Sequence, residues 1–184
     1  MSRAIRFDYA AFQAEQGEPL EALKILHQLV GENSDHLSAW QAGGQIALSS
    51  PDFIEFACDW TGESVKHFPE NLSLLRQRAE ALLCSGNAIE ALPLWQKLSS
   101  DPFSLAALVI CEVVNDTTGR TLPSAEEPAV SQGFLKWYRR LLGAANTKLV
   151  HALNGRLKSL KRILPSAATI LEAAVLDAKE TPVA

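Results

Sequence analysis

The residues from which a catalytic or metal site would have to be assembled are few: four histidines (His27, His36, His67, His151), three cysteines (Cys58, Cys84, Cys111) and the carboxylates Glu112 and Asp116, four positions apart. A metal needs its ligands at one point, most simply as histidines at helical spacing or as a C-x-x-C pair. No two of these histidines share a helix at ligand spacing, so each reads as an ordinary surface or interhelix residue. The cysteines are odd in number, widely spaced and set among apolar neighbours, which suits buried free thiols. Glu112 and Asp116 would share one face of a helix, but acids at a helix end are common. There is no G-x-S-x-G and no phosphate loop, and the pair Gly43–Gly44 falls inside a helical pattern, where it relieves packing rather than cradling phosphate. The expectation is a non-catalytic chain with no metal and no cofactor.

A scaffold must still hold whatever the chain does, and composition says which kind. The 184 residues are long enough for a real core; 47% are hydrophobic and 21% charged. Abundant Ala, Leu, Glu and Gln favour helix over strand, because unbranched side chains lose little rotamer freedom in a helix. The opening MSRAIRFDYAAF has no apolar block of the kind a secretory signal carries, and nowhere do eighteen uncharged apolar residues run together. A cytoplasmic, all-α protein is expected.

The helices recur. AEQGEPLEALKILHQL from Ala14 and CSGNAIEALPLWQKL from Cys84 both place a glycine five residues before the Ala of an E-A-L triplet, followed four later by a large apolar residue. Gly17, Ala22, Leu26 and Leu29 match Gly86, Ala91, Trp95 and Leu98, and the glycines are 69 positions apart. A weaker copy lies between them, with Trp40, Gly44, Pro51, Ala57 and Pro69 in the corresponding places. The unit is therefore about 34 or 35 residues, a spacing at which the residue types resemble the tetratricopeptide repeat. That resemblance covers residues 3 to about 104. It implies a helical-hairpin solenoid, a right-handed superhelix with a concave groove. Arg6 stands at an expected aromatic slot, Thr61 at a normally apolar one, and Pro93 inside a second helix predicts a kink.

Three segments follow: residues 1–115 as three repeats plus the first helix of an incomplete fourth, 116–132 as a long flexible connection, and 133–184 as basic helices that pack on or cap the solenoid. FSLAALVICEVV, after Pro102, is apolar all round, which a helix tolerates only when covered on several sides. The connection is rich in turn formers and acid, with Ser124 and Glu127 spaced as a capping box. Beyond it, Phe134, Trp137, Tyr138, Leu141 and Leu142, then Leu149, Leu153, Leu157, Leu160 and Leu164, recur at three and four. Asn154–Gly155 is a candidate break, and Pro165 a candidate first residue of a last helix.

Charge is uneven along the chain. Residues 1–127 carry a net minus ten, residues 128–171 plus eight and no acid, and the tail from 172 minus two. Lys136, Arg139, Arg140, Lys148, Arg156, Lys158, Lys161 and Arg162 supply the positive block. They are expected to pair with the chain's own acids or stay solvated, with an acidic partner protein as an alternative. Nucleic acid and membrane are disfavoured, since the net charge is minus four and no nucleic-acid motif is present. In the resembled family, the fifth and ninth positions of each first helix face the groove; here these include Phe7, Gln41, Gln45, Arg76 and Glu80. The resemblance thus implies a protein-interaction module, an adaptor, scaffold or assembly chaperone holding a peptide or helix in that groove, and is compatible with a homo-oligomer. The Lys and Asn with which some members grip a terminal carboxylate are missing from those slots. A regulatory or substrate-presenting subunit of an enzyme system, or a binder of RNA or anionic surfaces through the basic helices, are the alternatives.

Overall fold

The computed structural model describes residues 2–116, 131–144 and 147–180, apart from the side chains of 144, 147 and 177–180. Every regular element among them is helical: α1 Arg3–Glu15, α2 Pro19–Glu32, α3 Leu37–Ala47, a 3-10 turn at Pro51–Phe53, α4 Ile54–His67, α5 Leu72–Cys84, α6 Ala88–Leu98, α7 Pro102–Val114, α8 Gln132–Ala144, α9 Thr147–Gly155, α10 Leu157–Ile163 and α11 Pro165–Glu180. No described helix is long and apolar enough to cross a membrane. Most of the expected connection, 117–130, lies outside the described residues, as does the Ser124–Glu127 pair. The chain divides into two compact units, Met1–Ala81 and Leu82–Ala184, and the division falls within α5.

The two matched glycines end helices in the same way. Gly17 and Gly86 have φ of 81° and 86°, the left-handed region that glycine enters without a Cβ penalty. After α1, the amide of Gly17 donates to the Ala14 carbonyl and that of Glu18 to Gln13. After α5, Gly86 donates to Leu83 and Asn87 to Leu82. Both are Schellman turns, which satisfy the last carbonyls of one helix while the chain reverses into the next. In the middle copy the reversal runs through the 3-10 turn begun by Pro51, with Ser50 Oγ accepting from the Asp52 amide. Helix starts are equally legible: Ser2, His36, Asn71, Asp101 and Ser131 each accept a backbone N–H of the following first turn.

In the N-terminal unit, α2 packs on α1 and α3, and α3 on α4. Ala10, Leu26, Leu29, Val30, Ala39, Trp40, Trp60 and Leu74 form its main core, and Leu23, Ala47, Leu48, Ala57 and Ala81 a second cluster. The two departures from the repeat pattern are accommodated locally. Arg6 forks onto Glu32 of α2, with N–O distances of 2.7 and 2.5 Å; this hydrogen bonding holds the Glu32 carboxyl below its ordinary range. Thr61 is buried, but its hydroxyl donates to the Ala57 carbonyl one turn back at 2.7 Å, so that hydroxyl is not orphaned.

In the C-terminal unit, α7 is the axis. Ala106 to Val113 are all buried, and α6, α8, α9 and α10 each pack on α7. The all-round apolar character of FSLAALVICEVV is explained by that cover, and α11 closes the unit over α8, α9 and α10. The C-terminal third therefore surrounds the helix that was expected to begin an open fourth repeat. Cys111 Sγ and Asn115 Nδ2 donate to the Ala88 carbonyl at 3.1 and 2.8 Å, tying the end of α7 to the start of α6. α6 runs on through Pro93, which is exposed. α9 gives way to α10 just after Gly155, and α11 begins at Pro165, as the sequence indicates.

Two predictions arise from this unit. Burial, with Glu112 alongside, pushes the Cys111 thiol up to about 12, and Cys84 is buried as well. A thiol reagent at neutral pH should modify only the half-buried Cys58 in the native chain, and all three cysteines after unfolding; rapid native labelling of Cys111 would contradict the packing. The Tyr138 hydroxyl is buried without a hydrogen-bond partner, and burial raises its pKa. Removing a desolvated, unsatisfied hydroxyl relieves a cost of about 1–3 kcal/mol. Tyr138→Phe is thus expected to raise the melting temperature, whereas a drop would reveal an acceptor for that hydroxyl.

Candidate functional site

Two adjoining cavities open along α2 and α4 of the N-terminal unit. One, about 510 Å³, is lined by His27, Val30, Gly31, Trp40, Phe56, Asp59, Trp60, Glu63 and His67. The other, about 570 Å³, is almost wholly apolar, with Leu20, Leu23, Phe53 and Phe56 as its main lining and Lys24, His27 and Gln28 beside them. Both are lined by His27 and Phe56, so they adjoin at those side chains and make up a two-part trough, one part apolar and the other aromatic with an acidic rim. The α4 residues that line it, Phe56, Asp59, Trp60, Glu63 and His67, recur at helical spacing and therefore share one side of the helix. Leu20, Leu23, His27 and Val30 do the same on α2.

The floor is rigid. Trp40 and Trp60 lie 4.7 Å apart between ring centroids, Phe56 packs 5.5 Å from Trp60, and His67 stacks on Trp40 at 5.5 Å. Trp60 Nε1 donates to the Trp40 carbonyl and Trp40 Nε1 to the Ser34 carbonyl, each at 2.8 Å. Both indole N–H groups are thus committed inside the protein, and the two largely buried rings present a visitor a small carbon surface and no donor. Gly43 makes the arrangement possible, since a Cβ there would sit 2.3 Å from Cζ2 of Trp60.

This yields a signed pair of predictions. Gly43→Ala gains helix propensity of about 0.5–1 kcal/mol but must displace a ring held on three sides, at about 1–3 kcal/mol. The net expectation is destabilisation, by up to about 2.5 kcal/mol from the difference between those terms. At Gly31 a Cβ meets nothing within 4 Å, so Gly31→Ala should stabilise by about 0.5 kcal/mol. Urea unfolding of the two variants reads both signs; equal shifts would mean that Trp60 is free to move.

The electrostatics of the trough are one-sided. Asp59 and Glu63 are one turn apart on α4 and exposed. Glu63 receives Lys66 at 2.7 Å and lies 3.7 Å from His67; the Lys66 hydrogen bond holds its carboxyl low. At the other end, Lys24 leans on Glu21 at 3.3 Å. Among the described residues, no group of three His, Cys, Asp or Glu side chains gathers as a metal would require; His27, His67, Asp59 and Glu63 all line the aromatic cavity.

The residues that the repeat pattern points to are distributed differently. Phe7 is half-buried and stacks on His36 at 5.6 Å, as part of the packing around the core. The Gln41 carbonyl accepts from Gln77 Nε2 at 2.9 Å, while Gln45 is exposed and Arg76 half-buried. Glu80, expected to line an open groove, is only 5% exposed and belongs to the interior. None of these five lines the trough. In the basic block, Arg156 lies 3.9 Å from Asp116 and Lys161 pairs with Glu172 at 2.6 Å, so part of it meets the chain's own acids. Lys136, Arg139, Lys158 and Arg162 are exposed.

The sequence reads each histidine as an ordinary surface or interhelix residue and places the groove on the first helix of each repeat, so the second helices are not considered as a binding face. The signal for the trough was present, namely an apolar stripe on α2 and α4 broader than one neighbouring helix needs, with Leu20 left 56% exposed at its edge. Compared with family models, with curated proteins and with solved structures, the chain matches none.

Proposed function

We propose that the chain is a non-catalytic protein-interaction module, an adaptor, scaffold or assembly chaperone, whose binding face is the α2–α4 trough and whose ligand is a helix or short peptide of another protein. The observation that carries this reading is the adjacency of the two cavities at His27 and Phe56, one apolar and one with a packed aromatic floor and an acidic rim. The paired Schellman turns 69 residues apart support a tetratricopeptide-like origin for its hairpins. Three free cysteines suit the reducing cytoplasm. The first-helix groove residues Phe7, Gln41, Gln45, Arg76 and Glu80 belong to the same N-terminal unit, and the face proposed here lies instead on its second helices, α2 and α4.

The test is selection of random dodecapeptides displayed on phage against the intact chain, followed by affinity measurement on folded variants. Leu20→Asp combined with Phe53→Ala should weaken the selected peptides at least about tenfold, a loss of about 1.4 kcal/mol or more. Gln45→Glu and Arg76→Glu should leave them unchanged. The opposite pattern would return the site to the first-helix groove, and selection of no peptide at all would overturn the module reading.

A further inference from the structure

Resting on the reading of the trough as the binding face, we infer that its occupant carries an apolar anchor followed, about 10 Å along, by a long cationic side chain, arginine or lysine. The apolar end, lined by Leu20, Leu23, Phe53 and Phe56, offers only Lys24, His27 and Gln28 as polar groups and fits a Leu or Phe side chain. The other end combines an aromatic floor with Asp59 and Glu63 on its rim. Glu63 already receives Lys66 at 2.7 Å, so the exposed Asp59, one turn away, is the main carboxylate a visiting cation would meet. An alkyl stem suits the carbon surface of Trp60, Phe56 and Val30, so a Lys or Arg lies along the floor and presents its head to the carboxylates.

An anionic occupant finds little here. Both indole N–H groups are already donated internally, and Lys66 at this end is engaged with Glu63. Lys24 is held by Glu21 at the far end. The spacing follows from α4 itself. Phe56 and Glu63 are seven residues apart, about 10 Å of helix rise, which two turns of a bound helix or about three residues of an extended strand would match.

The probes are the tightest dodecapeptide from the phage selection and its neutral analogue, with each Arg replaced by citrulline and each Lys by norleucine. Asp59→Asn with Glu63→Gln is expected to weaken the parent peptide about tenfold, and the neutral substitution to weaken it to the same degree on the native chain, with no further loss on the doubly substituted one. Affinity of the parent should also fall with added salt. Selected peptides that lose binding on Leu20→Asp but carry no basic residue, or that ignore Asp59→Asn and Glu63→Gln, overturn the cationic inference while the trough remains the site. Peptides indifferent to both the trough and the carboxylate variants overturn both.

Discussion

Trp60→Ala is expected to destabilise the N-terminal unit by about 3–5 kcal/mol and to abolish peptide capture. The ring is 4% exposed and fills the space between Trp40, Phe56 and His27. Its near edge rests on Gly43, a backbone that cannot move in to close the void because it is held within α3. Truncation therefore leaves most of the ring volume empty, the condition under which cavity costs are largest. The Trp60 Nε1 bond to the Trp40 carbonyl is lost as well, and with it the orientation of the trough floor. Trp60→Phe keeps much of the volume and loses the bond, so a smaller loss of about 1–2 kcal/mol is expected. Urea unfolding followed by hydrogen exchange of the α2–α4 amides checks the size and place of the effect; an unchanged midpoint would remove Trp60 from the core.

Trp95→Ala should cost the C-terminal unit a similar about 3–5 kcal/mol, yet Trp95→Phe should be close to neutral. Trp95 is fully buried and meets Trp137 edge-on at 5.8 Å between centroids. Its Nε1 has no acceptor. Phenylalanine surrenders packing volume, but it also removes a buried, unsatisfied donor whose desolvation costs about 1–3 kcal/mol, and the two terms oppose. The two tryptophans thus separate by their indole nitrogens: one is satisfied and worth keeping, the other is a liability inside a good steric fit. Equal losses for Trp60→Phe and Trp95→Phe would contradict the hydrogen-bond assignments.

The contrast between what residue patterns reveal and what they hide has a physical basis. Gly17, Gly86, Pro51, Pro165 and the Asn154–Gly155 break act through the backbone within a few residues, so their effects appear where the sequence places them. The apolar circumference of α7 announced that the helix would be covered. It did not announce by what, because periodicity states how much of a helix is apolar and leaves its neighbours open. Glu80 shows the same limit: a groove slot borrowed from a repeat pattern assumes a neighbour spacing, and here that position is interior. The trough went unread because it lies between second helices, where Phe56, Trp60 and His67 look like ordinary packing residues until α2 is set opposite them.

Titration of an isotope-labelled chain with the tightest selected dodecapeptide, followed by amide and indole chemical shifts, tests the placement of the binding face most directly. Saturable shifts should appear at the Trp40 and Trp60 indole N–H signals and along α2 and α4 from Leu20 to His67, with the α5 amides around Arg76 unmoved. Shifts centred on Gln41, Gln45 and Arg76, with the two indoles silent, would contradict it.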